Sequence, residues 1–222
     1  SRRLKTDVLR LLGNDPLKGS SLGNTEGDDV HFLVTEEKQT NYLKFCDRVE
    51  TVTDAVKTIT EYTNHTTEHY AKVNLALAAD TNGLEQFKDY IPQLRSAIMS
   101  KPLLDDGLVY RGVDLSKQEI EQMELLQQFF IPSFTSTSID SQRAYKKDAM
   151  MVIKIPYACR YACSITENLS KFHNEEREVL LACYSGYRLE RIEQDNNTKI
   201  ISLYLDEHLS ALDSISSRSQ WQ

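Results

Sequence analysis

Hydrophobic residues in the first half of the chain recur at the spacing of an α-helix. Apolar side chains three or four residues apart share one face of a helix, so each such run predicts a helix that buries one side. Three runs follow one another between residues 45 and 100: Val49, Val52, Val56 and Ile59; then Tyr70, Val73 and Leu77; then Leu84, Phe87, Ile91, Leu94 and Ile98. Pro92 is expected to interrupt or restart the third run, because proline has no backbone N–H to donate within a helix. The first half therefore predicts a helical layer.

The second half of the chain changes to short apolar runs typical of strands. GLVYRGV (residues 107–113) predicts a strand, and LSKQEIEQMELLQQFF predicts a helix that Ser116 and Glu119 open as a capping box. Six further strand candidates follow, in the order FIPSFTSTS, AMMVIKI, CSIT, REVLLAC, YRLERIEQ and TKIISLYL. Few crossover helices separate them, so the sheet is expected to be mostly antiparallel. The predicted fold class is α+β, with an N-terminal helical layer packed on this β core.

The two ends of the chain are predicted to lack regular structure. Half of the eight glycines fall in GNDPLKGSSLGNTEGDD near the start, so residues 1–30 are expected to form a flexible arm. Residues 209–222 end in SISSRSQWQ and are expected to fray. The stretch between them, residues 31–208, is predicted to be a single domain with a sizeable core.

Composition and charge argue against several classes of partner. Of the 222 residues, 40% are hydrophobic and 27% are charged, as in an ordinary soluble globular protein. The net charge of -7 and the pI near 5.3 argue against nucleic acid and against an anionic membrane surface as partners. No apolar run approaches the roughly 20 residues that a membrane span needs. The four cysteines form no C-x-x-C pair and are expected to be free thiols, with one or two disulfides in a secreted form as the alternative.

Three fragments of the strand-rich half carry candidate chemistry: YRG at 110–112, FTSTS at 134–138 and EEREVLL at 175–181. Arg111 supplies a planar cationic fork suited to a phosphate or pyrophosphate. Gly112 allows a flat ligand to approach the backbone closely. Ser136 supplies a short hydroxyl that can fix the rotamer of a carboxylate. Taken singly, such residues are also common at ordinary strand ends and edges.

The third fragment holds two carboxylates side by side. Residues two apart on a strand share a face, so Glu176 and Glu178 are expected to point together. Like charges at this spacing repel, and such a pair calls for a cation, a hydrogen-bonding neighbour or a substrate. The alternative is a solvated strand end with a surface cluster of Glu and Arg.

Together, in this order and at these separations, the three fragments resemble the Arg, Ser-Thr-Ser and Glu-x-Glu signature of arginine-specific mono-ADP-ribosyltransferases. The resemblance covers residues from about 50 to 205. It implies a split β core and an enzyme that cleaves the nicotinamide–ribose bond of NAD and transfers ADP-ribose to a protein arginine, with no metal. The absence of a G-x-G-x-x-G or Walker-type loop in the sequence agrees that NAD would not bind in the Rossmann manner.

The resemblance also implies a role for each residue at the NAD site. Glu178 would stabilise an oxocarbenium-like transition state electrostatically, through the ribose 2′-hydroxyl. Ser136 would hold Glu178 in place, and Arg111 would bind the phosphates of NAD. The backbone of Gly112 would hold the nicotinamide amide, and Thr137 completes the expected NAD contacts.

The acceptor side of the site is implied by two further residues. Glu176 would orient the guanidinium of the acceptor and help to remove its proton. Phe172, in NLSKFHN, would be the exposed aromatic of an acceptor-recognition loop, although it could equally be a core residue under that loop. Arg143 is a candidate second phosphate ligand. Tyr110 and Phe134 either contact nicotinamide or lie in the core.

Three other functions remain open from the sequence. The same site could use water as acceptor and act as an NAD glycohydrolase, or the fold could serve as an inactive binding module. HTTEH at 65–69 fits the H-x-x-E-H pattern of a zinc peptidase class, in which His65 and His69 would share a metal. No third ligand is marked, so two exposed helical histidines are the simpler interpretation.

Overall fold

The structure is a computed structural model. It describes residues 52, 54–64, 69–79, 82–142, 144, 147–166 and 178–210. The predicted arm (1–30) lies outside the described residues, as do Glu176, Phe172, Arg143, His65 and all but the first two residues of the predicted tail. The domain boundaries expected from the sequence stay predictions.

Three α-helices and one 3-10 helix make up the helical layer among the described residues. They are α1 (Ala55–Tyr62), α2 (His69–Ala79), the 3-10 helix Asn82–Phe87 and α3 (Tyr90–Met99). The carboxylate of Asp54 accepts the N–H of Lys57 at 2.9 Å and thereby caps α1, so Val52 lies ahead of the helix in which the sequence pattern placed it. Pro92 lies in the first turn of α3, where its missing N–H is not needed. The predicted restart of the helix near Pro92 is confirmed.

The rest of the chain forms one sheet with a helix inserted after its first strand. The elements are β1 (Gly107–Val113), α4 (Lys117–Leu126), β2 (Gln128–Ile131), β3 (Thr135–Ser138), β4 (Ala149–Ile155), β5 (Ala162–Ser164), β6 (Glu178–Leu181), β7 (Ser185–Asp195), β8 (Thr198–Asp206) and the short α5 (Glu207–Ser210). FIPSFTSTS forms two strands rather than the single one predicted. Pro132 ends β2, and its carbonyl accepts the N–H of Tyr184 at 3.3 Å.

The sheet has the strand order β2-β7-β8-β4-β1-β3-β6-β5. Only the β4–β8 pair is parallel among the paired strands of the described chain, so the predicted mostly antiparallel α+β fold is confirmed. β1 pairs with β4 along its whole length but with β3 at the single position Tyr110–Ser138. The sheet therefore divides between β1 and β3 into two parts that separate beyond this contact.

One apolar core joins the helices to the sheet. Leu94 and Ile98 of α3 belong to the same buried cluster as Phe130 of β2 and Ile153 of β4. The described cysteines Cys159, Cys163 and Cys183 are buried thiols outside any disulfide, as expected. Among the residues that the structure describes, no helix has the length and apolar character of a membrane span.

The capping box of α4 is confirmed. The Ser116 hydroxyl accepts the N–H of Glu119 at 3.2 Å, and the Glu119 carboxylate accepts the N–H and the hydroxyl of Ser116, each at 2.7 Å. Reciprocal bonds of this kind satisfy two donors that a helix start otherwise leaves unpaired.

We expect Ser116→Ala to lower the free energy of unfolding by about 1 kcal/mol, because α4 loses its cap. Chemical denaturation followed by circular dichroism measures this change. Lys117→Ala is the matched control, since its ion pair with Glu121 spans 3.5 Å between side chains that are 86% and 59% exposed. Its loss should change stability by less than about 0.5 kcal/mol. Equal losses in the two variants would contradict a stabilising cap.

Candidate active site

The candidate site lies where β1 and β3 separate. Arg111 follows Tyr110, the last residue of β1 in register with β3. Its side chain bridges the gap, and Nη1 donates a hydrogen bond of 2.7 Å to the main-chain carbonyl of Ser136. A charged donor to a carbonyl forms a strong bond, which fixes the position of the guanidinium beside β3.

Ser136 connects this arginine to the buried carboxylate of Glu178. The hydroxyl of Ser136 donates to Oε1 of Glu178 at 2.6 Å. β3 and β6 pair so that Ser138 faces Glu178 and Ser136 faces Leu180. Ser136 and Glu178 therefore share a face of the sheet at diagonal positions, within reach of each other. Glu178 is only 8% exposed, and a buried carboxylate requires such a hydrogen-bond donor.

The structure thus brings Arg111, Ser136 and Glu178 together, as the sequence predicted. Gly112 is buried on β1 beside Arg111. The hydroxyl of Thr137 donates to the main-chain carbonyl of Val179 at 2.7 Å, a bond that joins β3 to β6. The contacts of Gly112 and Thr137 with NAD stay predictions, as do the roles of residues outside the described chain.

The sequence allows two locations for Tyr110 and Phe134, either in the core or in contact with nicotinamide. Phe134 is 1% exposed, and its ring packs against that of Tyr62 with centroids 5.4 Å apart. It lies in the core. Tyr110 is half-buried on β1. The structure therefore resolves the alternative for Phe134 in favour of packing.

Asn74 and Tyr62 are site neighbours that the sequence interpretation missed. Asn74 of α2 donates from Nδ2 to the carbonyl of Phe134 at 3.1 Å and to the hydroxyl of Tyr62 at 2.9 Å. Its Oδ1 accepts the N–H of Phe134 at 3.0 Å. The sequence offers one signal for these bonds, which is a polar residue next to Val73 in an apolar helix. A buried amide at such a position needs hydrogen-bond partners.

The charges of the site act on two neutral groups nearby. Burial raises the pKa of the Tyr62 hydroxyl far above its ordinary value. The hydrogen bond from Asn74 lowers this pKa, the charge of Glu178 raises it, and the charge of Arg111 lowers it. Burial likewise raises the pKa of the Cys163 thiol to about 11, with Lys101 lowering it and Glu178 raising it. At neutral pH both groups keep their protons.

The zinc interpretation of HTTEH gains no support from the described part of the motif. The ring of His69 packs edge-on against Phe87 and Tyr90, at centroid distances of 5.8 and 4.5 Å. No group of three or more His, Cys, Asp or Glu side chains among the described residues could hold a metal ion. The candidate active site is therefore the group of Arg111, Ser136 and Glu178, which lies where β1 and β3 separate.

Several solved structures resemble this chain in fold. C3stau2 from S. aureus with NAD is 18% identical, covers 82% of this chain and 99% of its own, and has a TM-score of 0.55. The Clostridium limosum C3 exoenzyme is 18% identical with coverages of 83% and 98% and a TM-score of 0.55. The Vis toxin from Vibrio splendidus is 20% identical with coverages of 77% and 82% and a TM-score of 0.55. At these identities the likeness establishes the fold.

The sequence itself also matches a family. No curated protein shows a significant match to the chain. The profile of the ADP-ribosyltransferase exoenzyme family, in contrast, matches residues 38–209, which is most of the chain. This confirms the family-level prediction of a transferase that acts on NAD, while the arginine acceptor is a finer prediction that the match does not include. The chain belongs to the ADP-ribosyltransferase exoenzyme family.

Proposed function

We propose that this protein is a mono-ADP-ribosyltransferase that cleaves the nicotinamide–ribose bond of NAD and transfers ADP-ribose to an arginine of an acceptor protein. The observation that carries the proposal is the convergence of Arg111, Ser136 and Glu178 through hydrogen bonds of 2.7 and 2.6 Å. These three residues come from separate strands, and the resemblance of their sequence fragments to the transferase signature is the reason to expect them together.

The carboxylate of Glu178 supplies the electrostatic part of the reaction. When the bond between ribose C1′ and the nicotinamide nitrogen breaks, its electron pair leaves with nicotinamide and the ribose gains oxocarbenium character. A fixed negative charge stabilises that state more strongly at a buried position than in water. Ser136 restricts the carboxylate to one orientation, so little reorganisation is needed as the charge develops.

Arg111 supplies the binding part. Its guanidinium carries a permanent charge and a planar set of donors that suit the pyrophosphate of NAD. The bond to Ser136 sets the orientation of this plane relative to the strand that carries the hydroxyl. Arg111 would therefore hold the phosphates of bound NAD at a fixed position relative to Ser136, the residue that donates a hydrogen bond to Glu178.

Glu176 supports arginine as the acceptor. In the sequence it precedes Glu178 by two residues, the spacing that places two side chains on one face of a strand. There a carboxylate would orient the acceptor guanidinium and take its proton as the new nitrogen–C1′ bond forms. A related observation is that Vis, 19% identical over 77% of this chain and 81% of its own with a TM-score of 0.53, has been solved in complex with agmatine, a guanidino compound.

Incubation with labelled NAD and agmatine tests the proposal directly. Release of nicotinamide together with label on agmatine is the expected result. Nicotinamide without labelled agmatine would instead establish an NAD glycohydrolase. Neither product, from a folded protein, would leave an inactive module and contradict the proposal.

We expect Glu178→Gln to reduce nicotinamide release by at least about 100-fold, because the variant keeps an acceptor for Ser136 but loses the charge. Initial rates at saturating NAD measure the effect, and the thermal midpoint checks the fold. Glu193→Gln on β7 is the matched control, since its carboxylate is 52% exposed and pairs with Arg191 on the surface. A Glu178→Gln rate close to that of the control would remove Glu178 from the reaction.

For Glu176→Gln we expect transfer to agmatine to fall by about 100-fold while NAD hydrolysis partly survives. The reason is that only the acceptor loses its base, whereas the charge of Glu178 stays in place. Both products are measured in the same reaction. An equal loss of transfer and hydrolysis would contradict the role of Glu176 at the acceptor.

Arg111→Lys is expected to weaken NAD binding by about tenfold or more, because an ammonium group cannot reproduce the planar fork. Titration calorimetry measures the dissociation constant. Arg188→Lys is the matched control, because Arg188 lies on β7, three strands from β1, and pairs with Asp206 at 3.1 Å. Unchanged affinity in the Arg111 variant would show that NAD binds elsewhere.

A further inference from the structure

The separation of β1 and β3 leaves backbone groups of β3 without a neighbouring strand. On an antiparallel strand, alternate residues direct their N–H and C=O groups to the same side. Ser138 is in register with Tyr110 of β1, and the carbonyl of Ser136, two residues earlier, accepts from the side chain of Arg111. Phe134, two residues earlier again, lies just ahead of β3.

Asn74 takes the place of the missing strand at Phe134. Its amide both donates to the carbonyl and accepts from the N–H of this one residue, at 3.1 and 3.0 Å. Two bonds with a single residue are what a partner in an antiparallel pair would provide. The amide is 7% exposed, and its third bond, to the Tyr62 hydroxyl, ties it to α1.

From this arrangement we infer that Asn74 is a positioning residue for the proposed reaction. It fixes the peptide two residues before Ser136, and Arg111 fixes the peptide of Ser136 itself. Between them they set the location of the hydroxyl that bonds to Glu178 at 2.6 Å. Asn74 acts through the backbone and Ser136, so its removal should affect the chemical step more than NAD binding. The kinetic part of this inference rests on the proposed function, whereas the placement of Ser136 does not.

Kinetics of Asn74→Leu and Asn74→Ala test the inference. The first replaces the amide by an apolar group of similar size, and the second leaves room for water. We expect kcat for nicotinamide release to fall by about 10- to 100-fold, because small displacements of a catalytic group have effects of this order. The KM for NAD should change by less than about threefold, since the guanidinium of Arg111 is retained. Ile201→Val, a core truncation on β8 three strands from β3, is the control for a general loss of stability.

Crystal structures of the wild type and of Asn74→Ala give a readout that does not depend on activity. We expect the Ser136 hydroxyl and the Glu178 carboxylate to lie beyond hydrogen-bond distance in the variant. A retained bond, a kcat within about threefold of wild type, or equal losses in the Ile201→Val control would each overturn the inference. Failure of both Asn74 variants to fold would also overturn it, because Asn74 would then serve the fold as a whole. An inactive wild type in which the variant still loses the bond would contradict the proposed function alone.

Discussion

The need to satisfy backbone hydrogen bonds governs this structure at the point where β1 and β3 separate. Buried N–H and C=O groups that lose a strand partner require another one. Here two side chains provide it: the guanidinium of Arg111 at Ser136 and the amide of Asn74 at Phe134. The opening in the sheet is thus compatible with an ordered strand, and Ser136 of that strand accepts from Arg111 through its carbonyl and donates to Glu178 through its hydroxyl.

This arrangement links the helical layer to the chemistry of the sheet. Tyr62 of α1 and Asn74 of α2 bond to each other, and Asn74 bonds to the residue ahead of β3. The helices therefore do more than cover the apolar face. They supply the contact that orients the strand carrying Ser136, and burial raises the pKa of the Tyr62 hydroxyl, so this hydroxyl stays neutral.

The sequence predicted the parts of the structure that depend on local pattern. The bounds of β1 and the capping box follow from local sequence pattern, and the contact of Ser136 with Glu178 follows from the resemblance of three short fragments to a family signature. The break at Pro132 was missed because apolar residues on both sides continue the strand pattern. Asn74 was missed because its partner, Phe134, lies 60 residues away and no local pattern indicates that contact.

The long sequence separations within the site affect how the protein acquires its activity. The bond between Ser136 and Glu178 joins residues 42 apart, and the bonds between Asn74 and Phe134 join residues 60 apart. Contacts of this kind form late and slowly, since the entropy of closing long loops must be overcome first. During synthesis, a nascent chain that has emerged only as far as β5 carries the arginine and the hydroxyl but not the carboxylate. The candidate site therefore cannot form until β6 has been made and has joined the sheet.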